Sequence, residues 1–179
     1  MKKRFLLIVP LLLTGCMEEK ISKLDVEMFN ADGDSLGNIT LTEKAQGLEF
    51  ALDLSGLTPG VHAIHVHDSG NCQPPDFKSA GDHFNPDQKK HGLLHPEGSH
   101  AGDLPNIIVK EDQTVKVTFM APQVTLRDGK TSLFTKKGTS IVINDQADDG
   151  MSQPAGDAGD RIACGVIAKK SAQKKAQDQ

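Results

Sequence analysis

Residues 60–67 read Gly-Val-His-Ala-Ile-His-Val-His, and the organisation of the chain is read outward from them. Val61 to Val66 has the β-branched content of a strand. On a strand, residues two apart share a face, so His65 and His67 point the same way and His62 points to the other side. On both sides of this stretch apolar residues recur at every second position: Leu24, Val26 and Met28; Ile39 and Leu41; Phe50, Leu52 and Leu54; Val115, Val117 and Phe119. Ser140 to Ile143 and Arg161 to Ala168 read as further strands. Asn30-Ala31-Asp32-Gly33-Asp34 is a turn cluster. No segment sustains a helical period. Short strands separated by Gly, Pro, Asp and Asn predict an all-β sandwich or barrel.

Two stretches break this rhythm. Residues 68–106 hold five of the nine prolines and little alternation, and residues 145–160 are rich in Asp and Gly. A loop as long as the first needs something to order it. All seven histidines lie between positions 62 and 100. His83, His91 and His100 are spaced eight and nine apart and Asp103 follows three later, all within that loop. Three imidazoles and one carboxylate match the donor types and number of a closed, structural zinc site; the alternative is a loop carrying surface histidines. His65 and His67 are by themselves the beginning of a copper or zinc site.

The ends of the chain read differently. Lys2, Lys3 and Arg4 precede the apolar run Phe5 to Leu13, which is too short to span a bilayer but suits a signal peptide. The run ends in Leu13-Thr14-Gly15-Cys16, which resembles a bacterial lipobox. Residues 1–15 are therefore expected to be a signal peptide, Cys16 a lipidation site, and residues 16–22 a tether to the outer face of a bacterial membrane. Residues 1–15 carry three bases and no acid, so 20 Lys+Arg become 17 against 24 Asp+Glu, a net charge of −7. That balance argues against nucleic acid as a partner. With Cys16 lipidated, Cys72 and Cys164 remain, and outside the cytoplasm such a pair oxidises unless both thiols are buried and free. Residues 169–179 read as a disordered tail.

The motifs together resemble the Cu/Zn superoxide dismutase family. Gly60 to His67 resembles its copper-site strand, and Ala80-Gly81-Asp82-His83-Phe84-Asn85-Pro86 the segment of its metal-bridging histidine. His91-Gly92 and His100-Ala101-Gly102-Asp103-Leu104 resemble its remaining zinc ligands. Ala147-Asp148-Asp149 and Gly159-Asp160-Arg161-Ile162-Ala163-Cys164-Gly165 resemble its C-terminal motifs. The resemblance covers roughly residues 24–168 and implies a domain at 23–168. It also implies a Greek-key β-barrel or sandwich of about eight antiparallel strands with a long zinc-binding loop. By that resemblance His65, His67 and His83 hold copper, and His83 bridges to a zinc held also by His91, His100 and Asp103. Asp148 orients one ligand of each metal, Arg161 holds the anionic substrate superoxide, and Cys72 pairs with Cys164. His62 is structural, bonding to backbone, and His95 is solvated.

One position departs from the family. The fourth copper histidine aligns with Asn144, and no histidine follows His100. An amide oxygen is neutral and hard, whereas cuprous copper prefers softer donors. Copper should therefore bind weakly or not at all while zinc is retained. Asp149 and Arg161 are also only twelve apart, with no lysine between them to steer an anion. The expectation is an exported lipoprotein of this family with weak or absent dismutation. The alternative is a non-catalytic, zinc-bearing dismutase-like protein with a copper-buffering or interaction role.

Overall fold

The computed structural model describes residues 21–169. The expected signal peptide, Cys16 and most of the expected tether and tail lie outside that range. Among the described residues nine strands form in chain order: β1 (Lys23–Asn30), β2 (Ser35–Lys44), β3 (Gly47–Ser55), β4 (Gly60–His62), β5 (Ile64–His67), β6 (Ile107–Val109), β7 (Thr114–Ala121), β8 (Thr139–Asn144) and β9 (Arg161–Ile167). Seven make one antiparallel sheet in the order β5-β8-β9-β1-β2-β3-β7, and β4 pairs with β6. β4 and β5 are one strand interrupted at Ala63. Below Ala63 it pairs with β6, which turns directly into β7; above it, with β8. This switch of partner curls the sheet towards a barrel with about eight strand positions, as the motifs predict. The interruption is pinned by Ala63 N–H to Gln146 O at 2.7 Å and Asn144 N–H to Ala63 O at 3.0 Å.

The alternation in the sequence becomes the inside of this barrel. Leu24, Val26 and Met28 of β1 lie against Ile39, Leu41, Phe50, Leu52 and Leu54 of β2 and β3, all buried. Leu36 and Ile39 are both buried although they are three apart. The β1–β2 register slips at Met28/Phe29, and Gly37 takes φ +112° there, a bulge that resets the alternation. A side chain at 37 would meet Asp53 O at 2.4 Å. The regular pattern fails on β7: Val115 is buried, but Val117 is 38% exposed and Phe119 only partly covered, stacked on Phe50 at 5.6 Å between ring centroids. β7 lies at the end of the seven-stranded sheet, and little packs over its middle. β6 was not readable as a strand, because three residues show too little alternation.

The long excursion 68–106 is held against the barrel. It contributes Phe84 and Leu104 to the main core, while Phe77 and Ala80 pack with Val142 and Cys164 on the outer side of β8 and β9. Cys72 and Cys164 form a disulfide across 92 residues of sequence. In the chain-entropy view, closing so long a loop stabilises the fold by roughly 4–5 kcal/mol. Replacing both cysteines with serine should lower the stability by about 2–5 kcal/mol with the barrel still formed, read from urea unfolding with and without reductant. A double variant as stable as the oxidised parent would contradict this role.

Candidate metal centre

The long loop brings its histidines to β5 through backbone hydrogen bonds. Val66 N–H donates to Gly102 O (2.9 Å), Gly102 N–H to Phe84 O (2.8 Å), and Phe84 N–H to Val66 O (2.8 Å). These three bonds form a closed ring. Each ringed residue neighbours a candidate ligand: Val66 lies between His65 and His67, Phe84 follows His83, and Gly102 precedes Asp103. The approach is close enough that a side chain at 102 would meet Val66 O at 2.2 Å, so this position requires glycine.

Around Asp103 the side chains converge. Its Oδ1 accepts from His83 Nδ1 at 2.9 Å and His91 Nδ1 at 3.1 Å, and His100 Nδ1 lies 3.3 Å away without hydrogen-bond geometry. Its Oδ2 accepts the backbone N–H groups of Gly92 (2.8 Å) and His100 (2.9 Å). Four donors around zinc with bonds of about 2.0–2.1 Å are separated by roughly 3.3 Å in a tetrahedron. The three nitrogen–oxygen separations measured here are near that value. All four residues are buried and could hold one cation.

His65, His67 and His83 form a second group whose ligand atoms lie within 4.8 Å of one another. The partners fix the tautomers, because carboxylates and carbonyls only accept. His65 Nε2–H donates to Asp148 Oδ2 (2.8 Å) and His67 Nδ1–H to Gly81 O (3.0 Å). That leaves His65 Nδ1 and His67 Nε2 as buried lone pairs without a donor; His100 Nδ1 is also buried without a hydrogen-bond partner. Such groups are costly to bury unless something engages them, and a cation is the partner that fits a lone pair. His83 belongs to both groups and presents Nδ1 to Asp103, so its Nε2 is the atom left for the second.

Asp148 ties the two groups together. Its carboxylate accepts from His65 and also from His91 Nε2 at 3.0 Å. Two residues that the sequence reading missed hold this arrangement. The Asn106 side chain bonds both the N–H and C=O of Asp148, and the Gln153 side chain bonds both those of His91. An exposed amide in a loop carries no signal that it clamps a distant backbone. Arg161 donates to Phe77 O and to Gly81 O, the same carbonyl that accepts from His67, which places the guanidinium beside the second group. His62 faces two backbone carbonyls, Asn144 O and Thr58 O, both at 2.8 Å. His95 is partly exposed, accepts Glu97 N–H, and joins neither group.

The chain matches the model of the family described as copper/zinc superoxide dismutase (SODC) over residues 35–167. It belongs to that family. It is 48% identical to superoxide dismutase [Cu-Zn] 2 of Aquifex aeolicus, over 88% of this chain and 93% of that one. A double mutant of a SOD-like protein from Bacillus subtilis superposes with a TM-score of 0.79 at 40% identity, covering 81% of this chain and 97% of that one. The Cu/Zn superoxide dismutase from Brucella abortus gives 0.68 at 31% identity, covering 82% and 99%. Within this dismutase fold the charges are already set for a cation. Burial would raise the pKa of Asp103, but the three imidazoles and backbone N–H groups hold it well below the carboxylate range. Burial pushes His83 down to about 4 against the opposing pull of Asp103. Burial also disfavours a charged His91, yet hydrogen bonds to Asp103 and Asp148 outweigh this and raise it to about 9.

In the metal-free chain, then, His91 is an imidazolium donating to two carboxylates at neutral pH. A cation beside Asp103 must displace its Nδ1 proton. Loading zinc at pH 7.5 should release about one proton from this residue, and the release should fade above pH 9 as His91 deprotonates unaided. Zinc affinity therefore rises with pH up to about 9. Calorimetry in buffers of different ionisation enthalpy measures the release; an enthalpy independent of buffer at pH 7.5 would contradict the assignment.

Proposed function

We propose that this protein is an exported, lipid-anchored member of the dismutase family that keeps its zinc centre and dismutes superoxide weakly or not at all. The zinc is held by His83, His91, His100 and Asp103, and Cys16 carries the lipid. The observation that carries the reading is the donor at position 144. Asn144 lies on β8, whose register pairs His65 with Val142 and His67 with Ser140, so it shares the face of the two histidines. Its Nδ2 donates to Gly159 O at 3.2 Å, and its Oδ1 is buried without a partner.

The donors around Asp103 fit zinc in number, type and spacing. The second group does not fit copper equally well in both oxidation states. Copper in this family supplies one-electron exchange with superoxide. Retention of the cuprous ion needs soft or imidazole donors independent of the bridging His83, and here only His65 and His67 remain. Copper affinity should fall by more than about tenfold, or about 1.4 kcal/mol, relative to a histidine at 144. The chain's own residues still provide an anion-binding edge. Arg161 is anchored through the Phe77 and Gly81 carbonyls and presents its positive charge beside His67. Zinc would cross-link three separate points of the 68–106 excursion, which backbone hydrogen bonds already hold against β5, a role that needs no turnover. A non-catalytic, zinc-bearing role in copper buffering or protein interaction is the second reading, and it is favoured by the same Asn144.

Loading the mature protein with both metals, counting them and following superoxide decay tests this. Zinc near one per chain, substoichiometric copper after reduction and slow decay are expected. Full copper with fast decay would overturn the proposal. Asn144→His should raise both copper retention and decay rate, and no gain in either would show that position 144 is not the limiting defect.

A further inference from the structure

The face of β5 and β8 that carries His65 and His67 offers more than an incomplete copper site. Besides the bare His65 Nδ1 and His67 Nε2, two oxygens there are buried without hydrogen-bond partners, Ser140 Oγ and Asn144 Oδ1. Ser140 pairs directly with His67 across the strands. The orientation of Asn144 follows from Gly159 O, which can only accept, so Nδ2 must be the bonded atom and Oδ1 the free one. The donors on this face are therefore the imidazole nitrogens of His65, His67 and His83, and neutral oxygens. Among the described residues the face presents no thiolate or thioether to this group. Two of the imidazoles are fixed in orientation from behind, His65 by Asp148 and His67 by the Gly81 carbonyl.

Three imidazoles with an oxygen or exchangeable ligand in the fourth position is the composition of open zinc sites. A zinc ion never changes oxidation state, so the feature that disfavours copper here, the missing imidazole for the cuprous form, is no handicap to it. Resting on the reading that Asn144 weakens copper, we infer that the His65–His67–His83 group takes a second zinc ion. The mature protein is then a two-zinc protein in which His83 would bridge as an imidazolate, its Nδ1 proton released to solvent. The fourth position of the second ion belongs to a small anion held beside Arg161, whose guanidinium shares the Gly81 carbonyl with His67. Cupric copper binds such donors more tightly than zinc in direct competition, so the ions are distinguished by reduction and not by affinity alone.

Titration of the metal-free, disulfide-bonded mature protein with zinc alone should give two ions per chain, the second bound at least tenfold more weakly. His67→Gln should keep the tight zinc, which also reports correct folding, and lose the weak one. His65→Gln should behave likewise. Cobalt as a spectroscopic probe should show a second visible-absorption component in the parent that azide perturbs and that is absent from His67→Gln. Adding copper and then ascorbate with zinc in excess should leave zinc, not copper, at the second position. One zinc per chain at saturation, or a second zinc unaffected by either variant, would overturn this inference and leave the weakened copper site standing. Stoichiometric copper surviving ascorbate would overturn both.

Discussion

The structure depends on a buried negative charge. The Asp103 carboxylate is fully removed from solvent, and an isolated ion there would cost several kcal/mol. It is tolerated because donors surround it: His83 and His91 on one oxygen, with the His100 imidazole 3.3 Å away, and backbone N–H groups on the other. Those donors come from three distant points of a loop with almost no secondary structure. The carboxylate therefore acts as an organiser of 68–106 as well as a candidate ligand. A divalent cation beside it balances its charge and replaces hydrogen bonds by coordination bonds of the same spread.

The second element of the arrangement is the backbone ring of Val66, Phe84 and Gly102. It fixes the distance between β5 and the two loop segments before any metal is considered. Side-chain coordination then adds to an existing geometry, which is the economical way to build a precise site on an irregular segment. Asp148, clamped by Asn106, extends the same logic to the 145–160 loop, so one carboxylate contacts both candidate metal groups through His65 and His91.

Much of this was legible in the sequence. The alternation of β1, β2 and β3 marked a barrel interior, and the clustering of His83, His91, His100 and Asp103 marked the site, since those residue types seldom crowd a Pro-rich loop without purpose. The Cys72–Cys164 pairing followed from compartment and resemblance, and it is present. What escaped is what depends on tertiary approach. Val117 alternates correctly but lies where the sheet ends. Gly102 looks like any loop glycine until its contact with Val66 O is seen. The amide clamps of Asn106 and Gln153 and the doubly used Gly81 carbonyl have no local sequence signature, because their partners lie far along the chain.

Asn144 is where the proposed loss of activity and the preserved fold meet. Its backbone bonds Ala63, its amide donates to Gly159 O, and both contacts belong to the fold. What it offers a redox metal is a neutral amide oxygen, Oδ1, buried without a partner. The measurement closest to the central claim is X-ray absorption at the zinc edge on protein loaded with one zinc per chain. The account predicts a four-coordinate ion with three imidazole nitrogens and one carboxylate oxygen at about 2.0–2.1 Å, and loss of one imidazole in His91→Ala. A zinc ion with mostly water ligands, or one whose spectrum is unchanged in that variant, would contradict it.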